Sequence, residues 1–288
     1  MYLTSLSIIF IAILSALSRG LISNIDRFQI GIQKNSVLQV NLFNNLFTMV
    51  FVIILAFYFP FGEMLLDWKV IVYSAIVQFV AVGYSVLFKK MTIFESVISA
   101  KAADIFIPVA VFLATGVFSV KTYFLAILTT FLVVLWLRKS REIKKYFQGI
   151  LIIVPLLVVQ AYTTPLLVED YHHDFRQMTA FTLCTLVIRF LISLISMFFD
   201  QDFRKMKLSL SKNNVGLYAL RSVLTVTAQF TFVLVTSDRL AALAWIFLNM
   251  TSLYGILFSG FILHEKTSKK GVILILSLTG LMIIGNFL

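Results

Sequence analysis

The residues of this sequence best placed to do chemistry are charged side chains stranded in the middle of long apolar runs. Placing a charge at the centre of a membrane helix costs a few kcal/mol, so each one marks a functional candidate. Lys101 and Asp104 lie three residues apart in FESVISAKAADIFIPVAVFLATG. That spacing puts them on one helical face. One reading is an intrahelical ion pair that neutralises itself. The other makes Asp104 a protonatable carboxylate suited to proton coupling, and Lys101 a partner for an anionic group. Pro108, one turn on, frees a backbone carbonyl and predicts a kink beside the pair. Arg189 is central in its run and has no acidic neighbour at helical spacing. Its partner is therefore on another helix or is a ligand. Arg221 and Arg19 have the same two options and a third, snorkelling to the interface. For all three arginines the bland alternative is a salt bridge that ties helices together.

A second tier is uncharged: Gln78, Tyr84, Gln160, Tyr162 and Asn249, with Asn44, Asn45, Gln229 and Tyr254 beside them. Such groups more often make one interhelical hydrogen bond than touch a ligand. Pro155 and Pro165 bracket Gln160 and Tyr162 and predict a bend. Trp245 could wall a site, although a lipid- or core-facing aromatic is the more common role. His172 and His173 lie in VEDYHHDFRQ, which reads as a solvated loop rather than a metal or pH sensor. Glu265 opens the last apolar run, where a carboxylate would cap the helix that follows.

The elements that position these residues follow from composition. The chain has 288 residues, 60% of them hydrophobic and 13% charged, against about 25% charged in an average soluble domain. Its mean hydropathy is +0.98. A membrane helix needs about 20 apolar residues, and the continuous runs exclude the alternation of a β-barrel. The expected fold is an all-α integral membrane protein of ten transmembrane helices. The expected spans are 3–25, 37–59, 68–88, 93–115, 123–137, 147–168, 178–199, 215–235, 240–263 and 271–288. The first reads as a span rather than a cleaved leader, since no positive segment precedes it. The net charge of +11 does not imply nucleic acid. Sixteen Lys and Arg fall in the loops after odd-numbered spans and four in the loops after even ones. The positive-inside rule then places the odd loops in the cytoplasm and both termini outside.

Two segments align at half the chain length, FESVISAKAADIFIPVAVFLATGVFSVK and DRLAALAWIFLNMTSLYGILFSGFILHEK, with Gly116 on Gly260. Five spans per half is odd, so the second half would enter the membrane inverted. The expected units are 1–145 and 146–288, an inverted five-plus-five repeat, with a binding site near the midplane between them.

The closing stretch SLYGILFSGFILHEKTSKKGVILILSLTGLMIIGNFL resembles the end of the EamA-like branch of the drug/metabolite transporter superfamily. The matching positions are Gly260, Glu265, Gly271, Gly280 and Gly285. At the end of the first half, Lys121 stands where the family often has glutamate. The resemblance implies a ten-helix transporter of the cytoplasmic (inner) membrane, and it places both termini in the cytoplasm, opposite to the loop charges. No phosphate loop, zinc-ligand spacing or nucleophile elbow is present, so no enzyme, cofactor or metal is expected, and any transport runs on gradients or exchange. A lone Cys184 forms no disulfide. The basic residues within spans outnumber the acids, which favours an anionic or zwitterionic small molecule: an amino acid, an organic acid or a phosphorylated compound. The expected partners are that substrate and the lipid bilayer, with a homodimer left open. The alternatives are a flippase or headgroup carrier for a lipid-linked substrate, or a non-transporting membrane subunit. The expected substrate contacts are Arg189, Lys101, Asp104, Arg221, Arg19, Gln78, Tyr84, Gln160, Tyr162 and Asn249.

Overall fold

The structure, a computed structural model, describes residues 5–116, 120–138, 143–171, 174–199, 212–236, 247–248 and 250–287. Among them every regular element is helical. In chain order these are α1 (Ser5–Asp26), α2 (Val37–Ala56), α3 (Trp68–Lys90), α4 (Ile93–Lys101), α5 (Ile107–Thr115) and α6 (Val120–Arg138), then α7 (Ile143–Val168), α8 (Phe175–Met197), α9 (Lys212–Thr236), α10 (Thr251–Ile262) and α11 (Lys269–Phe287). Six described helices are long and apolar enough to cross a membrane, and a seventh span is counted if the bent pair α4–α5 is one. Large apolar side chains such as Leu6, Phe10, Phe131 and Ile273 face outward, while Asn41, Asn44, Asn45, Gln78, Arg189 and Arg221 are buried. Polar groups inside and apolar groups outside suit a lipid solvent, and the chain is a multi-pass membrane protein.

Two boundaries differ from those read off hydropathy. The first helix does not stop at Ile25. It runs through Asp26 and continues as a π-helical turn, Arg27–Ile32. Asp26 and Arg27, expected in a loop, are therefore inside the helical bundle. The fourth span is broken by a 3-10 turn, Ala102–Ile105, and bends by 44°. The cause is Pro108, which has no N–H to return to the Asp104 carbonyl. By contrast, α7 continues as one helix through Pro155 and Pro165. The Thr163 and Thr164 hydroxyls donate to the carbonyls of Val159 and Gln160 in the turn before Pro165.

Local chemistry starts and stops the helices. Thr92 and Glu95 form a reciprocal capping box on α4, and Asp67 caps α3 by accepting from Lys69 N. Gly116 ends α5 at φ 72°, a left-handed conformation that glycine adopts without strain.

The helices pair in a regular way. α1 packs along α9 and α10, and α7 packs along α3 and α4–α5. α2 and α8 pack on one another, α2 also lies on α9 and α8 on α3, and α6 lies on α11. If α4–α5 is taken as one unit and each unit is advanced by five places, these pairs exchange with one another.

Ion pairs close both ends of the bundle. At one end Arg27 Nε donates to Glu265 Oε1 at 2.7 Å and Lys145 Nζ to Glu95 Oε1 at 2.7 Å. Glu265 Oε2 accepts the first amide of α4, Ile93 N, at 3.0 Å. Glu265 thus caps α4, not α11 as its place in the sequence suggested. At α11, Ser268 Oγ accepts from Gly271 N instead. At the other end Lys69 pairs with Asp170, and the Tyr171 hydroxyl donates to Asp67. Burial and the Asp67 carboxylate raise the Tyr171 hydroxyl above the ordinary tyrosine range, so it remains a donor at neutral pH.

α1 and α10 cross closely at Gly20 and Gly255. Asn24 Nδ2 donates to the carbonyls of Gly20 and Gly255 at 2.8 and 2.9 Å. A Cβ on Gly20 would sit 3.0 Å from Gly255 N and from Tyr254 Cβ. Gly20→Val is expected to force these backbones apart and cost about 1–3 kcal/mol. Gly216→Ala, where nothing lies within 4 Å of the added carbon, is the control. Melting of both variants in detergent checks this, and equal midpoints would mean that the crossing tolerates separation.

Candidate functional site

A cavity of about 310 Å³ lies between the helices, within the range of small-molecule sites. It is lined from α1, α3 and α4 on one side of the chain midpoint and from α7, α8, α9 and α10 on the other. A second void, against Phe175 and Phe230, holds about 10 Å³ and no charged residue, room for about one water.

Three of the lining residues are arginines and one is a carboxylate: Arg19, Arg189, Arg221 and Asp26. Arg221 and Asp26 form a two-bond pair. Nε reaches Oδ1 at 3.1 Å and Nη2 reaches Oδ2 at 3.0 Å. Arg221 Nη1 donates to Thr225 Oγ1 at 2.6 Å, and Asn44 Nδ2 donates to Asp26 Oδ1 at 3.2 Å. Both residues are under a tenth exposed. Arg221 therefore does not snorkel to the basic loop. It is held in the interior because the helical extension of α1 brings Asp26 to it.

Arg189 is held differently. Its Nε donates to Gln78 Oε1 at 3.0 Å. Gln78 Nε2 donates to Ser193 Oγ at 3.0 Å, and Asn45 Nδ2 donates to the same hydroxyl at 2.7 Å and to the Arg189 carbonyl at 3.3 Å. This bracket from α2, α3 and α8 orients the guanidinium without neutralising it. Among the described residues no carboxylate lies within ion-pair distance of Arg189. Among the described residues Arg19 also has no carboxylate partner. It lies 4.1 Å from the Phe232 ring centroid, a cation–π contact, and its buried Nε has no hydrogen-bond partner. Three cations against one carboxylate leave two positive charges in the cavity.

The expected contacts divide accordingly. Arg19, Arg189, Arg221, Tyr84 and Gln160 line the cavity. Gln78 stands behind it as the acceptor for Arg189. Lys101 and Asp104 do not line it. They pair with each other at 3.3 Å on the break between α4 and α5, the self-neutralising arrangement, so the cavity's carboxylate is Asp26 and not Asp104. Tyr162 is 41% exposed on the outer face of α7 and does not reach the cavity. Asn249, Trp245, His172, His173 and the start of the ninth expected span lie outside the described residues, as does the side chain of Lys121.

Sequence reasoning passed over Asp26 and Tyr73, both of which line the cavity. The available signal for Asp26 was that no proline or glycine separates it from the preceding helix before Gly31. No protein-family model matches this chain, and no curated protein matches its sequence.

Proposed function

We propose that this protein is a secondary transporter of a small anionic or zwitterionic metabolite in the cytoplasmic membrane, built as ten spans in an inverted five-plus-five repeat like the EamA-like transporters it resembles. The observation that carries the reading is the cavity: it is roomy enough for a small molecule, is walled by helices from both halves, and holds guanidinium groups that no carboxylate among the described residues offsets. Neither a structural subunit nor a packing core has a use for such charges, since unpaired buried ions cost several kcal/mol each. The exchange of helix pairs on advancing five places supports the repeat. Ion pairs at both ends of the bundle, Arg27–Glu265 and Lys69–Asp170, suit alternating access, in which one end opens while the other stays latched.

The test is flux in proteoliposomes. Vesicles holding the purified protein are loaded with unlabelled organic acids, phosphate esters, amino acids or amines and exposed to the labelled compound outside. Uptake of an anionic or zwitterionic class above protein-free vesicles is expected. Flux confined to amines, or absent for all classes with a folded protein, would rule the reading out.

A further inference from the structure

The cavity's charge inventory points to a narrower ligand. We infer that the ligand is an organic dianion, a dicarboxylate or phosphate monoester, held at two points by Arg19 and Arg189. The inference rests on the carrier reading for why the cavity exists, but its measurement does not depend on transport.

The argument is one of elimination among the charged groups. Arg221 is satisfied on all three nitrogens, by both Asp26 oxygens and by Thr225, so it brings no unmet charge to a ligand. Arg189, 5% exposed, spends only Nε, and on a neutral amide. Arg19 spends its ring-facing surface on Phe232 and leaves Nε unpartnered. Each is a planar fork of donors that matches a carboxylate or phosphate. A monoanion would leave one guanidinium uncompensated, and among the described lining residues only a ligand charge of −2 makes the cavity neutral.

Zwitterions are disfavoured by the same inventory. An ammonium group needs a carboxylate or an open aromatic face. Asp26 is engaged by Arg221 and Asn44, the Phe232 face carries Arg19, and an ammonium set on the Tyr73 or Tyr84 ring would add a third positive charge to two unpaired guanidinium groups. The ligand's body meets the Tyr73 and Tyr84 side chains of α3, which suits a short carbon chain or small ring.

The experiment is binding to the purified full chain in detergent, by calorimetry or thermal shift. The probes are succinate against monomethyl succinate, phenyl phosphate against methyl phenyl phosphate, and 4-aminobutyrate as the zwitterion. Each pair differs by one charge at nearly constant shape. The dianion of at least one pair is expected to bind roughly ten- to hundredfold tighter than its ester, the worth of a lost charge-assisted bond. The pair that shows the gap identifies the source as carboxylate or phosphate. In Arg19→Gln the gap is expected to shrink to less than about threefold, because one compensating charge has gone. Equal binding within both pairs, tighter binding of 4-aminobutyrate, or no binding of any probe overturns the assignment, and the unmodified protein alone decides these outcomes if the variant misfolds. A bound dianion without vesicle flux would remove the carrier reading and leave the ligand class standing.

Discussion

Replacing Asp26 with alanine is expected to destabilise the protein by about 3–5 kcal/mol, the cost of stranding one member of a buried ion pair. The pair is deep: Arg221 is 4% exposed and Asp26 is 7% exposed. Two hydrogen bonds at 3.1 and 3.0 Å join them across 195 residues of chain. Without Asp26, Arg221 keeps only Thr225, and the cavity gains a third uncompensated cation beside Arg19 and Arg189. The double variant Asp26→Asn, Arg221→Gln removes both charges and keeps polar side chains of similar size, so most of the loss should return. Melting midpoints in detergent, read for the single and double variants together, decide this. If the two lose the same amount, the charges are not what joins α1 to α9.

This pair also shows where the sequence was readable and where it was not. Most of the described helices fall close to the ranges drawn from apolar runs, whereas the fourth range is broken in two and the start of the ninth lies outside the described residues. The bend in the fourth span was legible from Pro108 alone. Asp26 was not, since hydropathy ends a helix at its last apolar residue and an acid there reads as loop. Its role appears only with a partner far along the chain. Gln78 and Arg189, 111 residues apart, were likewise separate entries in the sequence and became one unit only by packing. Gln160 and Tyr162 make the complementary point. Two residues apart on a helix, they face nearly opposite directions, and the apolar residues around both left the inward face unmarked. Gln160 lines the cavity, whereas Tyr162 faces out.

Arg189→Leu is expected to separate stability from function in the opposite sense to Asp26→Ala. Its guanidinium has no carboxylate partner among the described residues, so its removal strands no opposite charge. Gln78 Oε1 still accepts from Asn45 Nδ2 at 3.3 Å, and Asn45 still donates to Ser193. The substitution also removes an uncompensated buried cation that Arg19 and Arg221 repel. The folded protein should therefore melt at an unchanged or higher temperature, with a gain of up to about 2 kcal/mol, as when a functional group that strains the fold is deleted. Flux should nevertheless fall at least about tenfold, because a charge-assisted hydrogen bond to ligand is worth about 1.5–3 kcal/mol. The two readouts together carry the argument. Lost flux with a lower midpoint would make Arg189 a structural tie, and retained flux with a higher midpoint would take it out of the ligand's path. Only lost flux with an undiminished midpoint fits a buried charge kept for a ligand rather than for the fold.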